Sequence, residues 1–303
     1  MLRSIESVQQ AFRERQYIAD RSLATIIYLS GALGKPLLLE GEAGVGKTEV
    51  AKVMAAVLDT DLIRLQCYEG LDANTALYEW NYPKQMLHIK IAEATQESKA
   101  EVEKNIFSEE FLIRRPLLEA IYGDFPQAPV LLIDEIDRCD EEFEAFLLEV
   151  LSDFQISIPE IGTIQAKHRP YVVLTSNRTR EVHDALKRRC LYHWIDYPSF
   201  QKELEIVQAK VPQIREELAR QLCGFMGKIR QMDFFKRPGV AETLDWAQAM
   251  LALHREALDE TTLRETLGCI FKYNEDIRKF TSEVLGGKAA VQELIKEWAN
   301  PKA

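Results

Sequence analysis

An eight-residue segment at positions 41–48 has the composition of a phosphate-binding loop. Its sequence, GEAGVGKT, fits the pattern G-x-x-x-x-G-K-[ST], with the apolar PLLLE before it and the helical TEVAKVMAAVL at its end. Glycines let the backbone curl so that successive N–H groups point at an anion near the start of a helix. Lys47 would then reach the β- and γ-phosphates of ATP, and the Thr48 hydroxyl would bind Mg²⁺. The residues predicted to bind the nucleotide are Gly41, Glu42, Ala43, Gly44, Val45, Gly46, Lys47 and Thr48.

Two adjacent acids follow the segment VLLI at 130–133, which has the composition of a buried parallel strand. In open α/β sheets, ligands bind beyond the carboxyl ends of the strands, which is where Asp134 and Glu135 would lie. We expect Asp134 to hold Mg²⁺ through water and Glu135 to polarise a water molecule for attack on the γ-phosphate. Acids at this position can also cap a helix. Because the phosphate-loop pattern occurs in the same chain, the catalytic interpretation is favoured.

An asparagine, Asn177, follows a further apolar segment, YVVL at 171–174, after one threonine and one serine. An uncharged amide at this edge of a sheet could hold the attacking water or contact the γ-phosphate without changing the charge of the site. The residue by itself would also suit an ordinary turn. Its place in the order of elements, after the phosphate loop and the paired acids, favours a catalytic role.

Three consecutive cations, Lys187, Arg188 and Arg189, end a short predicted helix and precede an apolar segment. Cations stabilise a helix C-terminus through the helix dipole, by about 0.3–1 kcal/mol each. One cation is sufficient for that purpose, so the run of three leaves a second role open.

The composition disfavours several classes of protein. Lysine and arginine total 38 against 48 acids, and the net charge of −10 argues against a protein that coats nucleic acid or anionic membranes. Five dispersed cysteines without a C-x-x-C pair are typical of reduced thiols in the cytoplasm. The charged N-terminus lacks the apolar core of a signal peptide, and no run approaches the ~20 apolar residues that span a bilayer. We therefore expect a soluble, cytoplasmic protein without a membrane span.

Short apolar runs alternate with helical periodicity as far as Pro198. Residues 4–33 are predicted to form a helix. Strands are predicted at 37–39, 61–65, 130–133, 171–174 and 191–197, helices at 47–58, over most of 85–122 and at 141–152, and a hairpin at 155–166.

Only helical periodicity continues after Pro198, with helices predicted at 200–210, 213–232, 239–257, 261–268, 274–286 and 289–299. Strands that alternate with helices, followed by helices alone, indicate a parallel α/β domain and then a helical domain. The 303 residues, of which 47% are hydrophobic, are enough for two cores. We predict an α/β nucleotide-binding domain at 1–198 and an all-helical lid domain at 199–303.

In their order along the chain, these elements resemble those of the AAA+ P-loop ATPases, and within them those of the MoxR family. The matching elements are the phosphate loop, the strand that ends in two acids, the hairpin, Asn177, the three cations and the helical lid. Four longer segments are similar to the CoxD branch, which is associated with maturation of carbon monoxide dehydrogenase. Their sequences are LQCYEGLDANTALYEWNYPKQ, FSEEFLIRRPLLEAI, TSNRTREVHDALKRRCLYHWIDYP and RPGVAETLDWA.

The resemblance implies a role for the cations. AAA+ proteins form rings, commonly hexamers, and an arginine of one subunit reaches the γ-phosphate that the next subunit holds. Arg188 lies where the MoxR pattern places this arginine finger, and Arg189 is the second candidate. Family members usually carry another arginine at the start of a lid helix, where this chain has Ala241. Arg237, about one helical turn earlier, or Lys236 would replace it.

The resemblance also implies an ATP-driven remodelling chaperone. Its client would be a molybdenum hydroxylase such as carbon monoxide dehydrogenase, and its helper a von Willebrand factor A-type protein. Two alternatives belong to other classes: an AAA+ motor that acts on nucleic acid, and a P-loop kinase for small molecules. The net charge and a hairpin at 155–166 without lysine or arginine disfavour the motor. Glu135, which suits the activation of water, disfavours the kinase.

Overall fold

The computed structural model of the chain describes residues 3–95, 102 and 105–286, which form two compact units. The first unit contains residues 3–8, Arg21–Glu40 and Thr48–Trp194, and the second contains Gln9–Asp20, Gly41–Lys47 and residues 195–286. The phosphate-loop segment up to Lys47 therefore groups with the C-terminal helices, whereas Thr48 groups with the strands. The domain boundary between residues 198 and 199 remains a prediction.

The described residues contain nine strands: β1 Leu37–Gly41, β2 Leu62–Gln66, β3 Tyr78–Trp80, β4 Leu112–Arg114, β5 Val130–Asp134, β6 Gln155–Ile158, β7 Gly162–Gln165, β8 Tyr171–Ser176 and β9 Leu191–Ile195. Five of them form one sheet in the order β2-β5-β8-β1-β9. The β2–β5, β5–β8 and β8–β1 pairs are parallel, and β6 and β7 form an antiparallel hairpin. The predicted α/β class and the predicted hairpin are both confirmed.

The helices of the described residues are α1 Ile5–Glu14, α2 Arg21–Leu33, α3 Lys47–Leu58, α4 Ala73–Leu77, α5 Tyr82–Thr95, α6 Pro116–Tyr122, α7 Glu141–Asp153, α8 Asp184–Arg189, α9 Phe200–Lys210, α10 Glu216–Ile229, α11 Val240–Ala252, α12 Glu260–Ile270 and α13 Asn274–Phe280. A π-helical turn, Thr281–Leu285, extends α13. Within the described part of the chain after β9, the elements are all helical, as predicted. The helix predicted at 289–299 lies outside the described residues.

The single helix predicted at 4–33 is wrong, because the structure has two helices, α1 and α2, in this range. Gln16 has a φ of +60°, in the left-handed region that ends helices. The Tyr17 N–H donates to the Phe12 carbonyl at 3.0 Å across this turn. Because helical periodicity of apolar residues occurs on both sides of the turn, the break between α1 and α2 is not visible in the sequence pattern.

The prediction of mainly helix over 85–122 is also only partly correct. β4 interrupts it and pairs antiparallel with β3, so that Trp80 is opposite Leu112. Trp80 and Leu112 are both buried. The strand at β4 exists because of a partner some 30 residues away, and periodicity within a local window carries no sign of such a partner.

Strand register brings polar side chains together at one edge of the large sheet. Ile133 of β5 is the register partner of Leu174 of β8 and of Leu65 of β2. Asp134 and Thr175, which follow, therefore lie at the carboxyl edge of adjacent strands. All five residues of β5 are buried, so its apolar side chains belong to the core and its last residue is the acid.

The second unit has a core of its own, built around an aromatic cluster. The rings of Phe225 and Trp246 lie 5.2 Å apart, and those of Phe225 and Phe280 lie 5.7 Å apart. Trp246 is fully buried and its indole N–H donates to the Thr266 hydroxyl at 2.9 Å. A buried indole with a satisfied donor stabilises the packing of α11 on α12.

None of the described helices combines the length and the apolar character needed to cross a bilayer.

Candidate functional site

The phosphate loop, which belongs to the second unit as far as Lys47, owes its shape to glycines. Gly44 and Gly46 have φ angles of +78° and +96°, in the region that a residue with a Cβ rarely adopts. A Cβ on Gly41 would lie 2.2 Å from the carbonyl oxygen of Ile195. Side chains at these three positions would distort the curled backbone, so the geometry requires glycine at 41 and 46, which define the motif, and also at 44.

Lys47 points back into this loop. Its side chain is buried, and Nζ donates to the carbonyl oxygens of Gly41 at 2.7 Å and Glu42 at 2.6 Å. The ammonium group therefore lies on the concave side of the loop. A cation in this position can contact phosphate oxygens that the backbone N–H groups hold.

The start of α11 contacts the tip of the loop through backbone atoms. The Gly44 carbonyl accepts from the N–H groups of Val240 at 3.0 Å and Ala241 at 3.2 Å. A Cβ on Gly239 would lie 2.7 Å from the Ala43 carbonyl oxygen, so this close approach requires glycine. Ala241, at the position expected for a lid arginine, contributes a methyl group and no donor beyond its backbone.

The two candidates for the lid arginine, Lys236 and Arg237, both lie on the exposed segment that precedes α11. The Arg237 carbonyl accepts from the Tyr197 hydroxyl at 3.5 Å. Burial raises the pKa of Tyr197, Glu42 of the phosphate loop adds to the rise, and Arg230 and then Arg237 oppose it. The choice of Arg237 ahead of Lys236 as the lid cation stays a prediction.

A buried arginine that the sequence analysis did not single out holds the chain ahead of α11. Arg230 donates to both carboxylate oxygens of Glu203, at 2.6 and 2.7 Å. It also donates to the carbonyls of Pro238 at 2.8 Å and Gly239 at 3.1 Å. These bonds occupy the guanidinium, so Arg230 positions the segment that reaches the phosphate loop and does not replace the lid arginine. The sequence signal for the role of Arg230 was its position at the end of α10, a helix with an apolar face.

In the first unit, Asp134 is the centre of a hydrogen-bond network. Its Oδ1 accepts from the hydroxyls of Thr48 at 3.0 Å and Thr175 at 2.5 Å. Arg64 donates to Oδ2 from Nε at 3.0 Å and from Nη2. The carboxylate is buried, and Arg64 balances its charge. Arg64 was missed, although a single cation within the apolar strand β2 is a visible signal.

Glu135 directly follows β5 at the same edge of the sheet. Its backbone is in the left-handed conformation, with φ +58° and ψ +51°. Its N–H donates to the Thr175 hydroxyl at 2.9 Å. Its carboxylate accepts from the Asn177 amide at 3.3 Å and the Gln66 amide at 3.1 Å, and pairs with Arg138 at 2.9 Å. A non-glycine residue in this region costs on the order of 1 kcal/mol and is typical of functional sites. The structure thus brings Glu135 and Asn177 together, and their predicted catalytic roles stay predictions.

Asp137 holds the loop that carries Asn177. This carboxylate is buried and accepts from the backbone N–H groups of Asn177 at 3.2 Å and Thr179 at 2.8 Å. It also accepts from the Thr179 hydroxyl at 2.7 Å. Three donors on one short loop fix the direction in which the Asn177 amide points. The third acid of the segment DEID was the signal for this residue, which the sequence analysis left out.

We expect Asp137→Asn to lower kcat for ATP by roughly tenfold or more, with ATP affinity unchanged. The new amide group must face N–H donors, so the Asn177 loop loses at least one bond, and a shift of about 1 Å can cost about 10²-fold in rate. Steady-state turnover and equilibrium nucleotide binding separate the two quantities. Asp153→Asn, at an exposed position at the end of α7, is the matched control. An unchanged kcat in Asp137→Asn would contradict the positioning role.

Two cysteines, Cys67 and Cys139, lie close to the segment that carries Asp134 and Asp137. The Cys67 N–H donates to the Asp134 carbonyl at 2.9 Å. A hydrogen bond with Cys139, together with burial, raises the pKa of Cys67 far above its ordinary value. Cys67 therefore remains a neutral thiol, and the thiolate needed for nucleophilic chemistry is not available here.

The two candidate finger arginines differ sharply in their surroundings. Arg189 donates from Nη1 to the Leu148 carbonyl and to the Ser152 hydroxyl, both on α7. Arg188 is exposed, and within the described part of the chain its guanidinium has no hydrogen bond or ion pair. Of the two, Arg188 is thus the one whose charge is available to a neighbouring molecule.

The donor set suits a magnesium nucleotide. Thr48 directly follows Lys47 in the chain, and its hydroxyl lies 3.0 Å from Oδ1 of Asp134. The hydroxyl and the carboxylate can therefore bind the same cation. Mg²⁺ prefers oxygen ligands, keeps several waters and takes others from phosphates. The described residues contain no group of three or more histidine, cysteine and acidic side chains that could hold a metal without such help.

Comparisons with known proteins place these features in a family. The family model of the AAA domain (dynein-related subfamily) matches residues 36–190. An uncharacterized protein of Staphylococcus haemolyticus (strain JCSC1435) is 24% identical over 248 residues, which cover 79% of this chain and 85% of that protein. An uncharacterized protein of Staphylococcus aureus (strain USA300) is 27% identical over 172 residues, which cover 54% of this chain and 57% of that protein.

Solved structures of RuvB from Thermotoga maritima are also similar to the chain. The structure described as a Holliday junction branch migration motor is 16% identical, with a TM-score of 0.45, and the alignment covers 97% of this chain and 84% of that one. A proline-to-glycine variant is 16% identical, with a TM-score of 0.49 and coverage of 96% and 81%. The family model itself spans more than half of the 303 residues and includes the phosphate loop, both acids and the asparagine. The chain belongs to the AAA domain family, dynein-related subfamily.

Proposed function

We propose that this AAA protein hydrolyses ATP and uses the hydrolysis to remodel a protein client, as a chaperone of the MoxR type. The observation that carries the proposal is the Glu135 carboxylate, held 3.3 Å from the Asn177 amide at the carboxyl edge of the sheet. A carboxylate with a neighbouring amide can take a proton from a water molecule and hold that water in place. A kinase that excludes water has no need of such a pair.

The phosphate loop and the residues around Asp134 would bind the magnesium nucleotide. The loop's N–H groups and Lys47 would hold the phosphates, and Thr48 and Asp134 would hold Mg²⁺, which neutralises charge that develops on the phosphate oxygens. Arg64 donates to the Asp134 carboxylate and orients it. Arg237 would approach the phosphates from the lid.

The chain is proposed to act as a homo-oligomeric ring, a hexamer as in related AAA+ proteins, with Arg188 as the finger that serves the neighbouring subunit. Its guanidinium is exposed and carries no bond to its own described chain. A ring gives each bound ATP one Arg188 from the adjacent protomer. Hydrolysis at one subunit would then depend on the placement of the next.

The client and the helper rest on sequence resemblance to the CoxD branch. On that basis we propose a molybdenum hydroxylase such as carbon monoxide dehydrogenase as client, and a von Willebrand factor A-type protein as partner. The hairpin formed by β6 and β7 has no lysine or arginine, and the net charge is −10, which disfavours nucleic acid as the substrate. Five free cysteines, four of them buried, suit the reducing cytoplasm that we propose as the location.

The binding half of this proposal is tested by Lys47→Ala. Charge-assisted hydrogen bonds contribute about 1.5–3 kcal/mol each, so ATP affinity should fall by roughly 10- to 100-fold and turnover should be lost. Titration with a fluorescent ATP analogue in the presence of Mg²⁺ measures the affinity. Lys52→Ala, an exposed lysine on the same helix, is the control and should bind normally. Equal affinity in the two variants would contradict the phosphate-binding role of Lys47.

A further inference from the structure

The short helix α8, which carries Arg188 in its last turn, lies along α7 and is bonded to it at both ends. α8 has six residues. Isolated helices of fewer than about 12–15 residues are marginal in water, so α8 depends on other elements for its conformation and direction. Leu186 is its one buried side chain.

The N-terminal anchor is Glu144, a carboxylate on α7 with no exposed surface. Its Oε2 accepts from the His183 N–H at 2.6 Å, and His183 is the residue that caps α8. Its Oε1 pairs with Arg180, whose Nη2 also donates to the Cys139 carbonyl at 2.5 Å. A buried charge that is fully paired in this way fixes the chain on either side of it.

The C-terminal anchor is Arg189, the last residue of α8. Its guanidinium donates to the Leu148 carbonyl and to the Ser152 hydroxyl, one and two turns along α7 from Glu144. The neighbouring Arg188 is exposed on a different side of α8. The same two bonds that fasten Arg189 therefore set the direction in which Arg188 projects.

We propose that Glu144 and Arg189 are positioning residues that hold α8 on α7, so that Arg188 meets the γ-phosphate bound by the adjacent subunit. This inference rests on the proposed trans role of Arg188. Neither residue touches nucleotide; each acts through the placement of the finger. A displacement of the reacting groups by about 1 Å can cost about 10²-fold in rate, so loosening either end of α8 should reduce turnover by about that factor.

The test is a set of mixing experiments with Glu144→Gln and Arg189→Met. Each variant alone should show about hundredfold lower ATP turnover, whereas Glu142→Gln, at an exposed position on α7, should behave as the unmodified protein. Lys47→Ala subunits should bind ATP weakly and not hydrolyse it, but they have an intact finger. Arg188→Ala subunits bind ATP but have no finger. Each positioning variant should regain activity with Lys47→Ala subunits and stay inactive with Arg188→Ala subunits.

Recovery with Lys47→Ala also shows that the positioning variants fold and that their own nucleotide sites work. Recovery with Arg188→Ala subunits would overturn the inference, because it would mean that the fingers of the positioning variants are intact. Recovery with neither would also overturn it, since the defect would then lie in the variant's own site. The mixture of Lys47→Ala with Arg188→Ala is the reference: if it stays inactive while mixed rings form, the proposed trans role itself fails.

Discussion

Glu135→Gln is expected to bind ATP normally and to hydrolyse it roughly 10²–10⁴-fold more slowly, the usual contribution of a general base. Glutamine keeps the size of the side chain and an oxygen that can accept from the Asn177 amide. It cannot take a proton from water. Loss of the pairing with Arg138 should matter little for stability, because both side chains are partly exposed and such pairs contribute about 0–1 kcal/mol.

The measurement is single-turnover hydrolysis after equilibrium binding, which separates chemistry from product release. Glu141→Gln, an exposed acid in the first turn of α7, is a matched control and should leave both quantities unchanged. If Glu135→Gln turns over at the normal rate, the catalytic base lies elsewhere. The same variant, held with ATP bound, is suited to a pull-down that tests for a metalloenzyme client and a von Willebrand factor A-type partner together.

Elements with a strong local signal could be predicted from the sequence. The helix after the phosphate loop, the β6–β7 hairpin and the strand that ends at Asp134 have their periodicity or turn residues within a window of about ten residues. Residues that follow parallel strands meet at the carboxyl edge of their sheet, which is why Glu135 and Asn177 could be assigned to one candidate site before the strand order was known. The motifs and their order along the chain are therefore enough to propose the candidate site.

Features that depend on distant partners could not be predicted. β4 forms because β3 lies beside it, and the turn at Gln16 is hidden between two apolar stripes. Asp137 and Arg64 resemble ordinary charged residues until the strands on which they act are assembled. Their charge beside apolar residues was the only trace that the sequence carried.

Glu144 illustrates the same limit at the scale of one helix. It occupies the buried face of α7 with Leu147 and Leu151, at helical spacing. A charged residue within an apolar stripe requires a partner, since an unpaired buried charge is strongly destabilising. The sequence can state that requirement. Only the fold shows that the partners are Arg180 and the N–H of His183.

Arg188→Ala is expected to lower turnover by roughly 10³–10⁵-fold, the range that arginine fingers contribute in phosphoryl transfer. The variant should still bind ATP, because the phosphate loop is unchanged. Mixed with Lys47→Ala subunits, it should regain part of its activity, since each Arg188→Ala site that adjoins a Lys47→Ala subunit receives an intact finger.

The comparison of Arg188 with Arg189 makes this result specific. Arg188→Lys keeps the charge of the exposed side chain but not the planar guanidinium, and should remain strongly impaired if the finger contacts phosphate oxygens in a bidentate manner. Arg189→Lys retains a donor for the Leu148 carbonyl and the Ser152 hydroxyl, so it should lose far less. Turnover measured over a range of protein concentrations adds a second criterion, because a trans site works only in assembled rings. Full activity of an isolated protomer would exclude the arrangement in which one subunit holds the nucleotide and its neighbour supplies Arg188.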